Sequence, residues 1–226
     1  MRLINSHDEA STMCFSMTAS LAAGGFLLGV GTMTVKAARR SSEVPFAAIP
    51  LLFSIQQLSE GIVWWTFAHD APGLNVVMTQ FYSFFSHVLW PAYVPLAVLL
   101  LEPPGRRSRL LKLTAIAGIG VGLYLLYSMF EYPITSRAIG GHIEYVSPHF
   151  FAVVTMTGYL LATTVSPLLS NEIMVRIFGA LALISFVLAY LIFARWFISV
   201  WCFFAAILSV IVALRFFGRK NPLRLF

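Results

Sequence analysis

The chain has little charge. Of its 226 residues only 11% are Asp, Glu, Lys or Arg, against 59% hydrophobic, and its mean hydropathy is +0.84. Soluble domains average roughly 25% charged residues, so this chain has too little polar surface to face water all round, and lipid must be the solvent for much of it. Cysteine is also scarce. Cys14 and Cys202 are too few and too far apart for a disulfide framework or zinc-finger spacing. The three lysines, Lys36, Lys112 and Lys220, all flank apolar runs. A buried lysine for retinal is therefore missing, which argues against a rhodopsin. Histidine is absent from the last two apolar stretches, where ceramidase-type and adiponectin-receptor-type membrane hydrolases carry a His-x-x-x-His pair. No Gly-x-Ser-x-Gly elbow, Walker loop or His-Glu-x-x-His occurs.

Long apolar runs dominate what remains. A helix needs about 20 apolar residues to cross a bilayer, and seven such runs can be read, near residues 15–35, 45–68, 75–101, 111–130, 149–168, 174–193 and 196–216. The predicted fold is all-α: a seven-transmembrane helix bundle forming a single domain. Ala71-Pro72-Gly73, Glu102-Pro103-Pro104-Gly105, Gly140-Gly141 and Ser166-Pro167 supply breaks. Only Arg195 separates the last two runs. One helix through both would be about 60 Å long at 1.5 Å per residue, so a turn near Ala194–Trp196 is required.

Charge sets direction. With seven crossings, twelve of the fifteen Lys and Arg residues fall on one side, and only Arg2, Arg137 and Arg195 on the other. Basic loops stay in the cytoplasm, which puts the C-terminus inside and the N-terminus outside, in the inner (cytoplasmic) membrane of a prokaryote. The net charge of +6 is thereby a topology signal, and nucleic acid is not an expected partner. Asp8 and Glu9 precede the first run and Lys36, Arg39 and Arg40 follow it, the reverse of a signal peptide. Gly25/Gly29 and Gly118/Gly122 form two GxxxG faces, suited to close helix packing within the chain or to a homo-oligomer.

Polar residues within apolar runs tend to face a bundle interior. Gln56, Gln57, Glu60 and Trp64 share an arc of the second run; Gln80, Ser83, His87 and Trp90 share one on the third; Arg195, Ser199 and Cys202 follow helical spacing on the seventh. These stripes gather in the outer half, toward which Cys14 also opens, and the cytoplasmic half offers no comparable set. Candidate ligand-binding residues are Gln57, Glu60, Trp64, Ser83, His87, Arg195, Ser199 and Trp201. Glu60 would take Arg195 or His87 as its partner, and Glu60 with His87 is the candidate proton-handling pair. Candidate metal ligands are Cys14, His87, His142, His149 and Cys202, for Zn, Cu or Fe. Each candidate also has a plain packing role open to it.

Between the fourth and fifth runs, Ile134–Ile139 and His142–Val146 flank Gly140-Gly141, which predicts a β-hairpin-like loop at about 132–148. His142 and Glu144 would share one face, Ile143 and Tyr145 the other. Two roles are open, a lid over the outer cavity or a surface hairpin.

The segment Met13-Cys14-Phe15-Ser16 resembles the opening of a family of uncharacterised prokaryotic membrane proteins whose chains begin MCFS. The similarity continues through Pro45–Gly61, Gly141–Tyr145 and Phe197–Ala206. It implies no activity. It does imply that residues 1–12 are an extension ahead of a domain over 13–226, or that Met13 is the natural start, in which case removal of Met13 would leave Cys14 as an N-terminal residue with amine and thiol together.

Three function classes fit these residues. One is a protein that binds or senses a small ligand or metal ion in an outward-facing polar pocket. A second is a small-solute transporter of 3+1+3 topology, with Pro50, Pro91 and Pro95 as hinges. The third is an intramembrane enzyme using Glu60 and His87, with or without a metal. A structural subunit of a membrane complex is the residual class. The first is favoured, because the polar groups collect at one side instead of tracing a path across the bilayer.

Overall fold

A computed structural model describes residues 16–218. Among them are seven helical stretches: α1 (Met17–Ala37), α2 (Ser41–Ala68), α3 (Pro72–Leu101), α4 (Arg106–Glu131), α5 (Val153–Leu168), α6 (Ile173–Ile192) and α7 (Ala194–Phe217). All but α5 are long and apolar enough to cross a membrane. The strands β1 (Thr135–Ile139) and β2 (His142–Val146) lie between α4 and α5. The protein is therefore an all-α, multi-pass integral membrane protein carrying one small hairpin.

Local chemistry explains the boundaries. Ser16 caps α1, its hydroxyl accepting from the Ala19 N–H at 3.3 Å. Asp70 adopts a left-handed backbone (φ 47°) that turns the chain into α3, which opens on Pro72. The turn between α6 and α7 is the expected one: a 3₁₀ turn over Ala194–Trp196. The break between α5 and α6 falls later than Ser166-Pro167. Pro167 lies inside the last turn of α5, and the chain leaves the helix at Ser170.

Two helices are irregular inside the bundle. α3 widens into a π-turn over Phe84–Leu89 and α5 into another over Leu161–Val165. Each ends two residues before a proline, Pro91 or Pro167. Proline lacks the N–H that would bond the carbonyl four residues back, and a π-turn is one way a helix absorbs that loss. Pro95 likewise frees the carbonyl of Pro91, and Gly118 of α4 packs directly against that oxygen. A Cβ at Gly118 would stand 1.9 Å from it. One at Gly122 would stand 2.9 Å from the Val88 oxygen. The second GxxxG is thus a face packed inside the chain, against the backbone of α3. Among the described residues a Cβ at Gly25 or Gly29 would meet nothing within 4 Å, whereas Gly24 and Gly31 abut Leu58 and Leu51 of α2.

The core is aromatic. Phe150, Tyr159, Phe186, Phe197 and Trp201 pack edge and face between α5, α6 and α7, and Phe53 stacks on Trp90 at 3.9 Å. The hairpin closes one end of this bundle. Its register pairs Ile139 with His142 around Gly140-Gly141, both glycines at positive φ, the two-residue turn that only such residues make without strain. Ile143 and Tyr145 are buried, while Val146 is exposed and His142 and Glu144 are part-exposed.

At the basic end the structure corrects the sequence reading, which placed no polar set there. Glu43 is buried, accepts from the Arg39 N–H and pairs with Arg40 at 2.9 Å. Buried Glu102 accepts from Ser170 Oγ and from the backbone and side-chain nitrogens of Asn171. Arg215, also buried, pairs with Glu172 at 3.1 Å and lies over the Phe216 ring at 4.8 Å. Net hydropathy hides such groups, because each is one charged residue near the end of an apolar helix.

Candidate functional site

Glu60 is 2% exposed. Ser199 of α7 donates to its Oε1 at 2.6 Å. Ser20 of α1, Gln57 of α2 and Tyr82 of α3 bring their polar groups close enough to act on the same carboxyl. Gln56 and Tyr82 also reach the Cys202 thiol, and Tyr145 of the hairpin feels both Glu60 and Cys202. Four helices and the hairpin thus surround one acid. Helical spacing gives each element its contribution: Gln56 and Glu60 are one turn apart on α2, and Ser199 and Cys202 nearly one turn apart on α7.

The chamber is under-bonded. Trp90 Nε1 donates to Gln56 Oε1 at 2.6 Å, but among the described residues Gln56 Nε2, both polar atoms of Gln57, and the hydroxyls of Tyr82 and Tyr145 approach their polar neighbours without closing to full hydrogen-bond geometry. Buried polar atoms are paired in more than 90% of cases, so several orphans around one carboxyl mark a place built to hydrogen-bond something other than the chain. Tyr82 and Tyr145 stack with centroids 4.5 Å apart and planes 8° from parallel, and so the hairpin roofs the chamber with a second phenol. Burial, followed by the charge of Glu60, pushes the Tyr145 hydroxyl well above the ordinary tyrosine range. At neutral pH it is an O–H donor.

The other predicted site residues go elsewhere. His87 is fully buried, with Nδ1 at 2.8 Å from Ser86 Oγ and Nε2 at 2.9 Å from Ser147 Oγ beneath the hairpin's exit. Both ring nitrogens are occupied. It does not pair with Glu60, which corrects the proton-handling pair. Its ring nitrogens are satisfied away from Glu60, by Ser86 beside it and by Ser147 at the end of β2. Ser83 stays with that turn, its carbonyl accepting from Ser86 at 3.3 Å.

Arg195 does not reach Glu60 either. It is exposed and grips Glu144 with Nε at 3.0 Å and Nη2 at 3.2 Å, since a surface carboxylate can be paired without desolvating the guanidinium. His142 stacks on Trp196 at 4.8 Å, whereas His149 stacks on Tyr132 at 4.8 Å and meets the Tyr124 hydroxyl at 3.3 Å. Each is held by its own aromatic neighbour. Among the described residues, no three His, Cys, Asp or Glu side chains converge as a metal site. Cys14 lies outside the described residues. Trp64 is half-buried against Phe67, and Trp201 donates to the Ala182 carbonyl at 3.3 Å inside the aromatic core.

The expected outward-facing pocket is closed. Tyr145 of the hairpin covers it, with Ile143 buried on the same face of the strand, and the hairpin is pinned at several points. Thr79 and Ser136 hydroxyls meet at 2.7 Å, Gln80 donates to the Ile134 carbonyl at 2.6 Å, and Glu144 holds Arg195. Beside Cys202 runs a narrow void of about 30 Å³, lined by Phe53, Trp90 and Trp201 among others, enough for about one water. Sequence reasoning passed over Ser20, Tyr82 and Tyr145. Tyr145 had a signal, since it shares a strand face with Ile143. Ser20 and Tyr82 had none, because a serine or tyrosine in a membrane helix is common.

The class these features define is a polytopic membrane protein with a buried, hairpin-roofed polar cluster around one carboxyl. The chain belongs to a family of unknown function (DUF6629), whose model matches residues 13–225. No curated protein matches it, and no solved structure does.

Proposed function

We propose that the protein is a gated binder that takes a small polar ligand against Glu60 beneath the hairpin. The observation that carries this is the under-bonded chamber: a buried carboxyl, the free amide of Gln57 and the two stacked phenols converge without completing one another's hydrogen bonds. A carboxylate acceptor beside amide and phenol groups suits a ligand with N–H or O–H donors, neutral or singly positive. Its size is bounded by the closed packing. The donor set is oxygen-rich with one thiol, which favours an organic ligand over a transition metal.

The reading includes seven crossings with the N-terminus outside. α5, at 16 residues, is about 24 Å long at 1.5 Å per residue, and the buried segment around Ser147 and Phe150 continues it toward the hairpin end. The twelve-to-three charge division supports a cytoplasmic C-terminus. Reporter fusions after Ala68 and after Leu101 should report opposite sides.

The test is thermal stability of the purified protein in lipid nanodiscs against a panel of small amines, polyols and amides. A ligand that raises the melting temperature of the wild type and has no effect on Glu60→Gln supports the reading. A panel that shifts both proteins equally refutes it. Transport is the second reading, favoured by the two π-interrupted helices, which resemble the broken helices of transporters. Flux of the same ligand into proteoliposomes separates transport from binding.

A further inference from the structure

Away from Glu60, two cavities adjoin at the hairpin end of α3. The first is a cleft of about 440 Å³ between the α2–α3 turn and β1, lined by polar groups of Asp70, Asn75, Thr79, Gln80 and Ser136. The second is a groove of about 560 Å³ between α3 and α4, lined by apolar side chains including Val77, Phe81, Phe84, Met129 and Phe130. Val76, Gln80 and Pro133 line both, so one is the continuation of the other. Polarity rises across that junction: the groove is lined by rings and alkyl groups, and the cleft adds hydroxyls, amides and a carboxylate to apolar walls that include Phe67, Pro72 and Ile134.

The apolar half faces lipid. Val76, Val77, Phe81, Phe84 and Phe130 are all exposed, Phe130 at 81%. From Val76 to Phe84 the groove follows α3 for about 12 Å at 1.5 Å per residue. One leaflet of hydrocarbon is about 15 Å deep. The cleft lies at the turn just beyond the end of α2 at Ala68, the depth at which a spanning helix leaves hydrocarbon. Among the described residues its one charged lining residue is Asp70, and no Lys or Arg lines either cavity.

We infer that these joined cavities bind a single membrane phospholipid bearing a primary amine in its headgroup, acyl chain in the α3–α4 groove and ammonium at Asp70. The chemistry selects the class. A headgroup carrying only negative charge would meet a carboxylate with no cation to offset it. An ammonium finds the Asp70 carboxylate and the side-chain carbonyl of Gln80, while Asn75 Oδ1, which accepts from Ser136 at 3.1 Å, keeps a second lone pair. A quaternary ammonium has the charge without the N–H donors those acceptors need. This site is independent of the Glu60 chamber and stands whether or not that chamber binds a ligand.

Native mass spectrometry of the full chain, released from detergent with equimolar phosphatidylethanolamine, phosphatidylcholine and phosphatidylglycerol, tests it. The wild type should retain the ethanolamine lipid about fivefold better than the glycerol lipid, the factor that one interfacial ion pair near 1 kcal/mol gives. Asp70→Asn should erase that preference while keeping the fold, because asparagine tolerates the left-handed backbone at this position. Phe81→Ala should lower retention of all three lipids and leave their ratio unchanged. Equal retention of the three lipids by the wild type overturns the proposal, as does a preference that survives Asp70→Asn. Adducts that appear only after removal of residues 1–12 would assign the groove to the chain's own N-terminal segment, which also overturns it.

Discussion

Replacing Ile143 with alanine should loosen the roof of the chamber and leave the bundle standing. Ile143 is fully buried on β2, and removing its side chain takes away several methyl-sized contacts and leaves a void. Ile→Ala changes at such sites cost about 2–5 kcal/mol. If that loss falls on docking of the hairpin, the open population rises by about thirtyfold at 2 kcal/mol, since 1.4 kcal/mol is a factor of ten, and by several hundredfold at 4 kcal/mol. An undocked two-stranded hairpin is marginally stable in water, so its amides exchange once it lifts. Hydrogen exchange in nanodiscs should therefore show protection of residues 135–146 falling by one and a half to nearly three orders of magnitude (about 30- to several hundredfold), with α1 and α4 unchanged. Val146, on the exposed face of the same strand, is the control, and Val146→Ala should change exchange little. Equal loss of protection in hairpin and helices would refute the argument, because the hairpin would then open only with the whole molecule.

Three further outcomes follow from the packing. Ser199→Ala removes the donor at 2.6 Å from Glu60; leaving that acid unpaired should cost about 1–3 kcal/mol of stability, read by denaturant titration, and an unchanged midpoint would mean another group replaces it. Gly118→Ala forces a methyl to 1.9 Å from the Pro91 oxygen, so α3 and α4 must separate; about 3 kcal/mol is expected, the upper part of the overpacking range, whereas Gly25→Ala at its open position should be neutral or stabilising by about 0.5 kcal/mol, and equal effects at the two glycines would contradict the close approach. Arg215→Ala breaks the bridge to Glu172 and the contact with Phe216; about 2 kcal/mol is expected, below the range for fully buried pairs because Glu172 is 38% exposed, and a wild-type melting temperature would show the pair to be idle.

The sequence by itself determined the solvent and most of the elements. Apolar runs, proline and glycine breaks and the two-residue Gly140-Gly141 turn are local signals, and the helices, the turn at Ala194–Trp196 and the hairpin register appear where those signals lie. The inward stripe on α2 was equally legible, because helical period alone puts Gln56 and Glu60 on one face. Which groups meet across helices was decided only in three dimensions. His87, within the π-turn ahead of Pro91, meets Ser147 and not Glu60, and the hairpin gives Arg195 a carboxylate in Glu144 and the Glu60 cluster a roof in Tyr145. Period and composition carry no information about such pairings, which depend on the azimuth of each helix about its own axis and on the depth to which the hairpin is pressed in. For that reason Glu60 could be singled out from the chain, whereas its neighbours Ser20, Tyr82 and Tyr145 emerged only once the helices were packed.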